Sequence, residues 1–234
     1  MKKLLLILVL AGSVVFSAVN PENLSDKVRN RIAEHYGMDE EFVITANQEG
    51  KVTIEGTVGT LWDFYRMFEL ASKVNGVRSI SNQLMIDTPM LPDELVKSNI
   101  INEMHYIRSI LEPDRIKISV DNGIVFLDGK VSFYREKKML QTMISWQEGV
   151  KGIVNDLEVL PAKKAVSDKN LKRIIQNLLE KEFPLENVNL TINDGVVTLE
   201  GETKTLWALH EIEEQVSDLL GVQNVKNNLS VTES

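Results

Sequence analysis

Three glycines, a valine and an asparagine recur at fixed offsets in three places along this chain, and that pattern constrains the fold more than any other feature. The first copy reads Gly50-Lys51-Val52-Thr53-Ile54-Glu55-Gly56, then a segment of helical character, then Gly76-Val77 leading to Asn82. The second carries Gly123, Gly129, Gly149-Val150 and Asn155; the third carries Gly195, Gly201, Gly221-Val222 and Asn227. In every copy the spacings are 6, 20 and 6 residues, and successive copies lie 73 and 72 residues apart. Composition does not generate such a coincidence, so the chain is a triplicated domain. A period above 70 residues is longer than that of the common solenoid repeats, which makes each copy a small domain in tandem with the others.

The first glycine of each cassette follows Asn47-Gln48-Glu49, Asp121-Asn122 or Asn193-Asp194. Asn-Gly and Asp-Gly between alternating apolar runs mark a β-hairpin, because a type I′ turn needs positive φ at both central residues. Phe42, Ile44 and Ala46, Ile116, Ile118 and Val120, and Val188, Leu190 and Ile192 alternate before the turn. Val52 and Ile54, Val125 and Leu127, and Val197 and Leu199 alternate after it, so one face of each hairpin is buried. The first copy has one extra turn residue. Past the second glycine the apolar period changes to that of a helix: Phe64, Met67, Ala71 and Val74, and Leu209, Ile212, Val216 and Leu219. The middle copy keeps Leu140 and Ile144 but has Lys137 and Gln147 at two matching positions. Thr60 with Asp63 forms a variant capping box. Gly76, Gly149 and Gly221 stand where a left-handed helix C-cap is expected. On the return strand Ile80, Leu84 and Ile86 point inward, and Asn82 with them. That recurring asparagine is read as structural, its amide satisfying backbone groups of the loop it follows.

An amphipathic helix precedes each cassette. The first begins near Ser25-Asp26, with Val28, Ile32 and Ala33 inward. The second is predicted from Asp93 to Glu112, with Val96, Ile100, Ile101, Met104, Ile107 and Leu111 inward. The third begins at Ser167-Asp168 and carries Leu171, Ile174, Ile175, Leu178 and Leu179. Each unit is therefore helix–strand–strand–helix–strand: an α+β fold of three tandem αββαβ domains, each a three-stranded sheet with two helices on one face. The expected layout is a signal peptide over 1–18 and domains over 21–88, 92–160 and 165–232. Pro89, Pro92 and Pro161 fall in linkers, Pro113 and Pro184 end leading helices, and none interrupts a predicted strand.

Met1-Lys2-Lys3, the apolar run Leu4 to Phe16 and Ser17-Ala18 have the charged, apolar and small-residue parts of a secretory signal, with cleavage after Ser17 or Ala18. The run is too short for a comfortable membrane span. Periplasmic export without a lipid anchor is therefore expected. The chain has no cysteine, which excludes disulfides, thiolate metal sites and a lipid-modified cysteine. Loss of Lys2 and Lys3 takes the formal charge from −8 to −10. A protein so acidic is poorly suited to nucleic acid, whose non-specific binding depends on neutralising phosphates.

The αββαβ order, the G-x-V-x-[IL]-x-G hairpin strand and the G-V-x-x-[IV]-x-N return strand resemble the BON domain, a family named for bacterial osmotic-stress and nodulation proteins. The resemblance covers nearly all of the expected mature chain in three copies, the middle one departing most in its second helix. It implies a mixed sheet with the last strand beside the hairpin. It also implies a non-catalytic role in the cell envelope, with binding to phospholipid surfaces as the activity most often attributed to the family.

No catalytic signature accompanies the repeats. His35, His105 and His210 fall at non-equivalent places, and no metalloprotease, nucleophile-elbow or phosphate-loop pattern is present. Acidic neighbours such as Asp39-Glu40-Glu41 and Glu213-Glu214 read as solvated surface. The chain is read as no enzyme, without cofactor or metal. Comparing copies isolates what is not needed for the fold. Trp62 and Trp207 share one offset and are expected to pack within it. Tyr65 and Phe68 align with Lys138 and His210, and with Gln141 and Glu213; Trp146 aligns with Lys73 and Asp218. These positions look solvent-facing, so their aromatic residues mark contacts, either between the domains or with an outside partner or membrane. Ile124 and Phe126 replace Lys51 and Thr53 on the hairpin's outer face. Lys130, Arg135, Lys137 and Lys138, with Phe133 and Tyr134, gather around the start of the middle copy's second helix. That cluster is a candidate contact for lipid phosphates or an acidic partner. The readings that follow are a phospholipid-surface protein of the envelope, or a scaffold binding envelope proteins or itself through its sheet faces. The sequence leaves the oligomeric state open.

Overall fold

The computed structural model describes residues 20–36, 42–107, 110, 112–160, 166–183 and 188–232. The expected signal peptide, the Asp39-Glu40-Glu41 run, Leu111, Pro161 and Pro184 lie outside the described residues. The first repeat comprises α1 (Pro21–Tyr36), β1 (Val43–Ala46), β2 (Lys51–Val58), α2 (Leu61–Ser72) and β3 (Ser79–Ile86). The second comprises α3 (Asp93–Tyr106), β4 (Ile116–Asp121), β5 (Ile124–Val131), α4 (Tyr134–Ser145) and a return strand in two pieces, β6 (Gly152–Asn155) and β7 (Glu158–Val159). The third comprises α5 (Asp168–Glu182), β8 (Val188–Asn193), β9 (Val196–Thr203), α6 (Leu206–Ser217) and β10 (Asn224–Val231). Each sheet is mixed: the hairpin is antiparallel and the return strand runs parallel to its second strand. Both helices cover one face. Val52, Ile54, Met67 and Val28 fill the first core; Val125, Leu127, Leu140 and Ile100 the second; Val197, Leu199, Ile212 and Leu171 the third.

The hairpin turns follow their chemistry. Asn122 and Gly123 have φ of 51° and 79°, and Asp194 and Gly195 have 48° and 76°, the doubly positive pair of a type I′ turn. Asp93 and Asp168, at the starts of α3 and α5, each accept hydrogen bonds from both turn amides, locking leading helix to hairpin. The extra residue of the first copy makes a longer turn, in which the Asn47 Oδ1 accepts from the Glu49 and Lys51 amides.

Three expectations about helix ends need correction. The helix C-cap is not at Gly76, Gly149 or Gly221. α2, α4 and α6 end earlier, with Lys73, Trp146 and Asp218 as right-handed C-caps. Each glycine is instead the third residue of a β-turn closed by the amides of Val77, Val150 and Val222, where positive φ is needed. α1 starts at Pro21 rather than near Ser25, since proline is pre-set for the first helical turn, and Leu24 joins the core. α3 ends at Tyr106, not Glu112. Its exit in extended backbone at Ile107 lets Ile110 turn into the core before Pro113, which no helix could have approached closely.

The recurring asparagine serves the helix and not the loop. Asn82, Asn155 and Asn227 each donate from Nδ2 to a carbonyl of the second helix: Phe64, Lys137 and Leu209. Each also accepts from the amide two residues on. The side chain thereby stitches return strand to helix. Asn227→Ala is expected to lower the stability of the third domain by about 1–3 kcal/mol, the cost of leaving part-buried polar groups unpaired. A urea titration followed by tryptophan fluorescence checks this, since Trp207 lies on α6.

Candidate functional site

The second helices α2, α4 and α6 contact one another, and their contacts follow one rule. Counted from the second hairpin glycine (Gly56, Gly129, Gly201), the sixth residue of one repeat faces the seventeenth of another. Trp62 stacks on Trp146, with ring centroids 4.7 Å apart. Trp207 meets Lys73, whose Nζ lies 5.9 Å from the ring centroid, within cation–π range. Arg135 and Asp218, the third such pair, line one cleft. The ninth residue meets the twelfth or thirteenth in the same order. Tyr65 lies beside Gln141, Lys138 pairs with Glu214 at 3.0 Å, and His210 lies edge to face with Phe68 at 5.0 Å. The fifth residue crosses over as well: Leu61 belongs to the core of the second domain, and Leu206 packs against that of the first. The head of α2 thus engages α4, the head of α4 engages α6, and the head of α6 returns to α2. The three repeats close a ring.

Several residues singled out in the sequence are therefore interdomain contacts. Tyr65, Phe68, Trp146 and Lys138 join neighbouring repeats, and Trp62 and Trp207 pack between domains rather than only within their own. Lys137 donates to the Leu157 carbonyl at 3.0 Å, and Lys130 faces Glu158 at 3.5 Å. Glu136 is buried and accepts weakly from the Ser132 amide. Phe133, Tyr134 and Arg135 are brought together with Ser217 to Gln223 of the third repeat around a cleft of about 210 Å³. Phe133 is 36% exposed, and Leu220, which lines the same cleft, is 58% exposed. Sequence reasoning missed Leu220, Asp218, Leu61 and Leu206. One signal could have found them: Thr60-Leu61-Trp62 and Thr205-Leu206-Trp207 are the same tripeptide, replaced by Phe133-Tyr134-Arg135 in the middle copy. Thr60 and Thr205 cap their helices through side-chain oxygens, whereas Phe133 makes no side-chain cap bond.

Two titrating groups sit at these junctions. Burial lowers the His210 pKa, and the nearby Glu213 opposes the shift only in part. Burial disfavours ionised Glu69, but bonds to Lys73 and Arg66 outweigh it and hold the carboxyl below its usual range. Because His210 is neutral in the fold, its stabilising contribution is complete above the ordinary histidine pKa of about 6.5 and falls as pH drops below it. The α6–α2 junction is expected to loosen as the pH falls below about 6.5 and through the lowered pKa of the folded state. Melting temperature against pH, compared with His210→Gln, checks this: the variant should lack that component of the slope.

Among the described residues no cluster of histidine and acidic groups could hold a metal ion, and no helix is long and apolar enough to cross a membrane. Glu213 accepts from Asn227 and Glu214 pairs with Lys138, so that carboxylate pair is engaged in structure.

No curated protein matches the chain. Among solved structures, the C-terminal domain of CdsD, described as the structural protein of the Type III secretion system of Chlamydia trachomatis, is 15% identical. The alignment covers 92% of this chain and 100% of that one, with a TM-score of 0.27. The PrgH periplasmic domain is 9% identical over 82% of this chain and 95% of that one, with a TM-score of 0.22. Likenesses this low bear on neither arrangement nor role. The BON domain profile, by contrast, matches residues 20–88, 92–161 and 167–233. With the repeated cassette, the mixed sheets and a match over almost every residue after the first 19, the chain belongs to the BON domain family, in three tandem copies.

Proposed function

We propose that this BON-repeat protein is exported to the periplasm and acts there as a non-catalytic interaction protein of the cell envelope, docking a partner polypeptide at the cleft between α4 and α6. The observation that carries this reading is the fate of the middle domain's special residues. Its lysines at 130, 137 and 138 are engaged within the molecule, while Phe133 and Leu220, exposed to water, line one cleft. Exposed apolar groups gathered at a concave place mark contact surfaces. Phe126 and Val154, adjacent across β5 and β6 and more than a third exposed, offer a secondary contact on the open sheet face.

A second reading is docking on phospholipid surfaces in envelope maintenance or osmotic stress, the activity associated with the family. It is favoured by Arg135 standing beside Phe133, a basic–aromatic pair that suits an anionic headgroup at about 1 kcal/mol per basic residue near the surface. A photo-crosslinking residue at position 220, introduced into the exported protein in cells, separates the two. Discrete polypeptide adducts support the first reading. Lipid adducts alone, with salt-sensitive co-sedimentation on anionic liposomes, replace it with the second. Neither adduct removes both.

A further inference from the structure

We infer that the α4–α6 cleft is a receptor for an indole side chain, presented by a tryptophan of a partner polypeptide. The ring of second helices has three equivalent junctions, and two are closed by an indole from the sixth position: Trp62 on Trp146 and Trp207 on Lys73. At the third the sixth position is Arg135, and the space opens as a cleft of about 210 Å³. A cavity of about 150 Å³ accepts benzene, so a bicyclic ring has room here. The site is continuous with the established interdomain interface and lacks only the ring that the other two junctions supply from within.

Its walls carry the chemistry for that ring. Phe133 offers an aromatic surface and Leu220 an aliphatic one, both open to solvent. The Arg135 guanidinium can lie over an indole face, as Lys73 lies over Trp207. Asp218 and Gln223 supply acceptors for the indole N–H, which an apolar or phenyl side chain would leave unused. A guest that is neutral and aromatic with one donor matches this lining better than an anionic headgroup, which Asp218 would repel. This inference rests on the reading of the cleft as a docking place and adds what is docked there.

The test uses the mature chain and N-acetyltryptophanamide as probe, with N-acetylleucinamide as control, followed by amide chemical shifts. Saturable shifts are expected at Phe133, Arg135, Leu220 and Gln223, with several-fold weaker response to the leucine probe. Arg135→Trp should fill the cleft from within: probe shifts disappear and the melting temperature rises. Leu220→Ala, at an exposed position that leaves the core alone, should weaken binding several-fold and serves if the tryptophan variant fails to fold. Absence of saturable shifts, shifts elsewhere only, or equal response in Leu220→Ala overturns the indole assignment. Polypeptide cross-links from position 220 would survive that failure, so the two proposals fail separately.

Discussion

Gly129→Ala is expected to unfold the middle domain under conditions where the other two stay native. Gly129 sits in β5 opposite Ile116 with φ of +124°, a region that only glycine occupies readily. A Cβ there would overlap the Arg115 carbonyl on the neighbouring segment, and backbone cannot step aside as a flexible side chain can. Strained backbone alone costs about 1–3 kcal/mol, and displacing the carbonyl adds to it, so a loss of about 3–4 kcal/mol is expected. That is a large share of the roughly 5–15 kcal/mol that holds a domain of this size together. Gly59→Ala is the control: no atom lies within 4 Å of its added Cβ, and its denaturation midpoint should not move. A Gly129 variant with the wild-type midpoint would mean that the hairpin can re-pair around the methyl.

The second large effect is expected to appear in a domain other than the one mutated. Leu61 opens α2 of the first repeat, yet it is 4% exposed within the core of the second. Leu61→Ala removes buried methyl groups and leaves a cavity, at a cost of about 2–5 kcal/mol. Hydrogen exchange should show the loss at Val125 and Leu127 amides of the second domain, with Val52 and Ile54 of the first affected less. Loss confined to the first domain would mean that Leu61 serves its own repeat, and the ring of contacts would lose one member.

The sequence carried the units more fully than it carried their assembly. Alternation, turn chemistry and the returning glycines are local signals, and they specified the αββαβ cassette down to the doubly positive φ of Asn122-Gly123 and Asp194-Gly195. The ends of helices were read less well. A glycine after an apolar helical run is usually a cap, which is what Gly76 suggests, but a further turn intervenes here. The contact character of Tyr65, Phe68 and Trp146 is legible by comparing copies, but which residue meets which is hidden for a different reason. Comparing copies sets like against like, so Lys73 and Asp218 at the place of Trp146 read as an outward position. In the ring that position faces the sixth residue of another repeat, where a lysine finds Trp207 and an aspartate shares a cleft with Arg135. Information about an interface between unlike offsets does not lie in any one column of the repeat.

Head-to-tail contact carries a hazard that self-complementary contact does not. A surface that accepts the tail of its neighbour and offers its own will add units without limit unless the geometry brings the last back to the first. Here one polypeptide supplies three heads and three tails, and each helix head meets another repeat, that of α4 through Lys138 and Glu214 and that of α6 through Trp207 and His210. Removing any one repeat would leave an unmatched head on one side and an unmatched tail on the other. Two-repeat fragments of this protein should therefore grow into chains or recruit a third unit from a second molecule, and covalent linkage of three is what lets every head find a tail within one molecule.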